Sequence, residues 1–130
     1  MPTAPNLPTT VTGGSTGHLG HTGTVHAVVN SIYLASIGTT RTAAYTLTQA
    51  NSGEVIPVNS ASAVAITVPA LDAGSVVELV RLGAGAVTLT ASGTTFVVPT
   101  GATATPRVTG SVLSLLWLTT TSVLVGGDLT

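Results

Sequence analysis

Three histidines, His18, His21 and His26, crowd into one short stretch and are the only ones in the chain. Imidazoles at this density could hold Zn²⁺ or Ni²⁺, above all where symmetry collects several copies. Their spacing, two residues and then four, matches no zinc pattern, and there is no cysteine. The four acids, Glu54, Asp72, Glu78 and Asp128, all lie far downstream. No ligand shell closes, so the histidines are expected in packing, capping and turn roles, with no metal bound. Just upstream, Gly13-Gly14-Ser15-Thr16-Gly17 spells G-x-S-x-G. That sequence activates a serine only where a strand turns sharply into a helix above a large parallel sheet, with the acid and histidine arriving later. Here the preceding residues are rich in Pro and Thr, and no such context is foreseen.

Other chemistry is excluded more simply. Four scattered acids give no carboxylate pair for glycoside hydrolysis, and a chain without lysine has no phosphate-binding P-loop. Gly83-Ala84-Gly85 reads as a hairpin turn, because no helix follows to make it a phosphate cradle. Tyr33, Tyr45, Phe96 and Trp117 are the only aromatic residues, too few for a base-stacking platform. Trp117 sits in the most apolar segment, which suits a core position. Arg41, Arg81 and Arg107 are expected to pair with Glu54, Glu78 or Asp72 on the surface. No catalytic residue, no cofactor and no enzymatic activity are expected.

Composition points the same way. Of 130 residues, 44% are hydrophobic and 5% charged, with net charge -1. Seven ionised side chains on a domain of this size leave about one charge per 900 Å² of surface. Three arginines make no electrostatic footprint for phosphates, so nucleic acid is not an expected partner. Nor is a membrane: the longest apolar stretch, residues 113–118, contains Ser114 and is far short of the roughly 20 residues a helix needs to span lipid. The N-terminus lacks the basic and apolar regions of a signal peptide. A hydrophobic, nearly neutral chain without a membrane span suggests burial against other protein.

Periodicity divides the chain into three parts. Residues 1–23, with Pro2, Pro5, Pro8 and a Gly/Ser run, predict an extended arm. Residues 24–44 hold a short helix and a linker. Val25, Val28, Val29 and Ile32 recur at helical spacing, and so short a helix needs a partner surface, in its own domain or in another subunit. From Tyr45 to Thr130 the period falls to two. Nine strands are predicted, at 45–49, 54–59, 63–68, 75–82, 86–90, 95–98, 105–109, 112–119 and 122–125, with turn residues between them. Short β-branched runs at this spacing predict an all-β domain, a small sandwich or barrel. Pro57 and Pro69 place their strands at an edge or bulge. In 112–118 both faces are apolar, as in a strand covered on both sides, either by a second layer of its own domain or by a neighbouring subunit.

The stretch Tyr45-Thr46-Leu47-Thr48-Gln49-Ala50-Asn51-Ser52-Gly53-Glu54-Val55-Ile56-Pro57-Val58-Asn59-Ser60-Ala61-Ser62-Ala63-Val64-Ala65-Ile66-Thr67-Val68-Pro69 resembles the opening of a β module of tailed-bacteriophage virion proteins, those known as head fibre, capsid decoration or minor tail proteins. Gly74-Ser75-Val76-Val77-Glu78-Leu79, Gly83-Ala84-Gly85, Trp117 and Val123-Leu124-Val125-Gly126-Gly127-Asp128-Leu129 continue the similarity, which covers roughly residues 45–129. The segment from His18 to Asn30 is similar to a short lead-in of phage tail and head-fibre proteins.

What the resemblance implies is a structural virion component, usually a homotrimer, with no enzymatic activity. An arm, a short helix and one β unit suit a decoration protein on the capsid surface, made in the host cytoplasm. Its partners would be the major capsid protein and itself. The arm, through Pro2, Pro5, Leu7, Pro8 and Val11, would lie along the shell and stabilise it. Val25, Val28, Val29, Ile32, Leu116, Trp117 and Leu118 are the candidates for contact between subunits. The alternative is a minor tail or tail-tip module that recognises the host cell wall.

Overall fold

Alternating residues that cannot all reach water must be folded so that one face of every strand meets the same interior. The computed structural model describes residues 35–130, and Ser36–Thr130 form one compact unit. The expected arm and the helical pattern at residues 24–34 lie outside the described residues, as do His18, His21, His26 and Ser15. Residues 36–44 join the β unit rather than linking to it.

Nine short strands carry the unit: β1 (Ser36–Ile37), β2 (Tyr45–Thr46), β3 (Glu54–Val58), β4 (Val64–Pro69), β5 (Val76–Arg81), β6 (Val87–Ser92), β7 (Thr95–Val97), β8 (Val112–Trp117) and β9 (Ser122–Gly127). The first six alternate between two sheets. β1, β3 and β5 lie side by side in one, β2, β4 and β6 in the other. Within each set neighbours are parallel, and a residue meets its counterpart one coil later: Val55 lies beside Glu78, and Val64 beside Val87. This is the arrangement of a β-solenoid. β8 then reverses direction against β5, β9 against β8, and β7 closes the far edge parallel to β9, giving a six-stranded sheet of order β1-β3-β5-β8-β9-β7.

The all-β prediction holds; the only helical turn among the described residues is a 3₁₀ turn at Gln49–Asn51. Two layers face one core as a sandwich would have them, but the chain reaches them by coiling. Inward residues stack in columns: Tyr45 on Ile66 on Leu89, and Ile56 on Leu79 on Leu113. Val77, Leu115 and Val125 form another column, and Phe96, Val123 and Trp117 a fourth. Trp117 is fully buried, and its Nε1 donates to the Pro69 carbonyl across the core at 3.1 Å. That satisfies the one polar atom so large an aromatic brings inside.

Four expectations are corrected. Gly83-Ala84-Gly85 is not a hairpin turn, since β5 and β6 belong to different sheets. It is a corner of the coil laid on the corner below, where a Cβ on Gly83 would meet the backbone of Ser60 and one on Gly85 the backbone of Ser62. The strand expected at 105–109 is absent. Pro106 forms only an isolated bridge to Leu129, and its ring removes the donor a ladder would need. β2 stops at Thr46 because the chain enters the 3₁₀ turn. Pro57 lies in an interior strand, at a point where its neighbour breaks off: β1 ends at Ile37, and the Pro57 carbonyl is met instead by the Arg41 amide at 2.8 Å.

Stacked corners leave no room for a methyl group. Gly83→Ala should therefore destabilise the fold by about 1–3 kcal/mol in urea unfolding, as overpacking of a tight contact does. Gly126→Ala, where no atom stands within 4 Å of the added Cβ, should stay within about 0.5 kcal/mol of wild type.

Candidate functional site

With so few charged groups, where each one is used decides what the surface can do. Arg107 makes a two-pronged pair with Asp128, Nε to Oδ1 at 2.9 Å and an Nη to Oδ2 at 3.1 Å. The buried Ser111 donates to the same carboxylate at 2.7 Å and accepts from the Val108 amide. Arg81 turns its guanidinium onto the carbonyls of Gly83, Ala84 and Pro106, tying the coil corner to the irregular segment that follows β7. Arg41 lies over the Tyr45 ring, 3.5 Å from its centre, a contact in which the ring's quadrupole attracts the cation. The expected pairs with Glu54, Glu78 and Asp72 are replaced by these contacts, because register places a ring, three carbonyls and Asp128 nearer to the guanidinium groups.

The 3₁₀ turn builds the densest polar cluster. Asn51, buried, accepts at Oδ1 from the Thr48 amide at 2.8 Å and the Tyr45 hydroxyl at 3.0 Å, and donates from Nδ2 to Glu54 at 2.9 Å. Gln49 bridges to the next coil, donating to Ser75 and accepting from the Asp72 amide, each at 2.9 Å. Each of these side-chain contacts is made within the chain, between the 3₁₀ turn and the segments beside it. The cluster fixes the route from β2 to β3 and presents no nucleophile beside a base. Among the described residues no group of three or more His, Asp or Glu side chains could hold a metal, and no helix is long and apolar enough to cross a membrane.

What the surface does offer is apolar. Because β8 buries Leu113, Leu115 and Trp117, its alternate residues Val112, Ser114 and Leu116 point outward, and Leu118 follows them. Register carries the pattern sideways: Val97 on β7, Leu124 on β9, Leu116 on β8 and Val76 on β5 stand in one row across four strands. The next row holds Glu78, Ser114 and Gly126, with Ser114 donating to Glu78 at 3.4 Å. No second layer of the described residues covers this face.

No family model, no curated protein and no solved structure matches this chain.

Of the sequence candidates, Pro2, Pro5, Leu7, Pro8, Val11, Val25, Val28, Val29 and Ile32 lie outside the described residues. Leu116 and Leu118 stand on the outer face, Leu118 half exposed. Trp117, expected in the core and also named as a candidate subunit contact, is a core residue, since strand parity turns it inward between its two neighbours. Val76, Val97 and Leu124 were not singled out from sequence. Their signal was present in Val76-Val77 and Val123-Leu124-Val125, runs apolar at both parities.

Two substitutions probe the polar contacts. Asn51→Asp sets a carboxylate against Glu54 and removes a donor, so it should cost about 2 kcal/mol or more near neutral pH in denaturant unfolding, and acid should relieve part of that loss. The hydrogen bonds from Arg107 and Ser111 hold the Asp128 carboxyl below the ordinary aspartate pKa. The stability this confers is complete above the unfolded pKa and drains away as pH falls through the lowered folded one. Asp128→Asn should melt below wild type at neutral pH, and the two melting curves should converge in strong acid.

Proposed function

We propose that this chain is a structural component of a phage particle, a capsid decoration or head-fibre protein that binds the outside of the assembled major capsid protein, as a trimer, and stabilises the shell. The observation that carries the reading is the outer face of the six-stranded sheet, a broad Val and Leu surface that offers contact area and no reactive group. The resemblance of residues 45–129 to phage virion modules supplies the particle. Binding to assembled subunits in preference to free ones shifts their equilibrium toward the shell by mass action. Where a single copy binds weakly, several linked copies would give the occupancy.

Deletion of residues 1–23 should leave the far-UV circular dichroism of the β unit intact and abolish co-sedimentation with capsids that lack the protein. Full occupancy by the shortened chain would exclude the arm as the docking element. Counting copies on intact particles by quantitative mass spectrometry separates the alternatives, since hundreds place the protein on the shell and a few place it on the tail.

A further inference from the structure

The two sheets end differently. The large one is bounded by β1, two residues long, and β7, three, too short to guide another strand. In the small one β2 has two residues, whereas β6 at the opposite edge has six, Val87–Ser92, all in register with β4. Edge strands of that length are normally guarded by a charge, a proline or a bulge. β6 carries none of these.

Ladder parity says which backbone groups are open. The Val64 amide donates to the Ala86 carbonyl at 2.8 Å. Parallel pairing then turns the N–H and C=O of Thr88 and Thr90 toward β4 and those of Val87, Leu89 and Ala91 away from it. No backbone bond between described residues takes the groups turned away. Val87 is buried, while Thr88, Thr90, Ala91 and Ser92 are exposed, so the accessible part of the edge centres on Thr90. We propose that β6 pairs antiparallel with β6 of a second copy across a twofold axis at Thr90, joining two three-stranded sheets into one.

Two parities have to agree for such a contact, and both do. Centred on Thr90, the pairing sets Leu89 against Ala91 of the second copy, and Ala91 against its Leu89. Those residues carry the open amides and carbonyls, so each pair exchanges two hydrogen bonds. The faces match as well. Leu89 and Ala91 continue the inner side, and on the outer side Thr90 meets Thr90 and Thr88 meets Ser92, the hydroxyl pairs that stabilise cross-strand contact. A slip of one residue would set inward side chains against outward ones. Charge favours a copy too, because two uncharged strands meet without repulsion, whereas a charged strand would find no counter-ion on β6. The contact uses the small sheet alone. It adds a twofold link to whatever holds a trimer together, and it does not depend on the phage reading.

One strand pair buries less than a standard interface, so the link is weak by itself and the test traps it. Thr90 faces its own copy in a non-hydrogen-bonded pair, with Cα atoms about 4.5 Å apart, within reach of a disulfide. Because the chain has no cysteine, Thr90→Cys in the full chain, oxidised at high concentration, should give a covalent pair in high yield. Thr46→Cys, exposed on the same outer face, should stay mostly single. Ala91→Pro removes only an N–H that points away from β4, so the small sheet and its circular dichroism should survive. Added to Thr90→Cys, it should bring the cross-link down to the Thr46→Cys level. Ala91→Lys, which guards the edge with a charge and leaves the backbone alone, should do the same.

Equal yields at Thr90 and Thr46 would mean random collision and would overturn the proposal. So would a Thr90→Cys protein that stays single, whether another segment of the chain or nothing at all lies on the edge. A Thr90 cross-link that neither Ala91 substitution lowers would overturn the strand pairing while leaving self-association. Capsid co-sedimentation of the Ala91 variants reports separately on the phage reading.

Discussion

Each coil of this protein has to return to the same place one strand spacing further on, and the backbone contact of Gly83 and Gly85 with Ser60 and Ser62 is where that condition is tightest. Once the corners touch, the strands leaving them are in register: Val64 with Val87 on one side, Val58 with Arg81 on the other. Register then decides which side chains are inside, because a shift of one residue would turn every Val, Ile and Leu of a strand outward. The core columns, the inward Trp117 and the outward aliphatic row all follow from this one alignment.

Polar groups hold the route between strands rather than the strands themselves. Asn51, Gln49, Arg81 and Ser111 each satisfy backbone or side-chain groups of more than one segment. These are bends and irregular stretches that no ladder can satisfy. Such use of polar side chains leaves little for recognition by charge. The Arg107–Asp128 pair is itself exposed, and pairs of that kind contribute modestly because water and salt screen them. Contact through shape and apolar area is what this surface can supply.

Much of the β unit was legible in the sequence. Period-two alternation located β3 to β9 to within a residue or two, because each has an inward face and an open or half-open one. Alternation is a property of single strands, however, and says nothing about partners. It could not distinguish a hairpin from a coil at Gly83-Ala84-Gly85, since glycine serves a tight turn and a close backbone approach equally well. β1, two residues long with both exposed, has no pattern to read. The 105–109 run has β-branched residues but is spoiled by Pro106. On the outer face, the apolar character of both parities in β8 was visible, whereas the row it forms with Val97, Leu124 and Val76 depends on long-range register.

The reversal at β8 has a consequence for how the chain acquires its structure. β1 to β6 pair with strands about one coil away, so their loops close over short and similar distances and coils can add one after another. β8 instead pairs with β5 across a much longer intervening stretch, Val76 with Leu116, which makes it a late event. Until β8 arrives, the hydrogen-bonding edge of β5 is bare, a row of unsatisfied amides and carbonyls bordering Val77 and Leu79. During synthesis this is the interval of greatest exposure to wrong pairing with a neighbour, and the antiparallel β8–β9 hairpin is the latch that ends it.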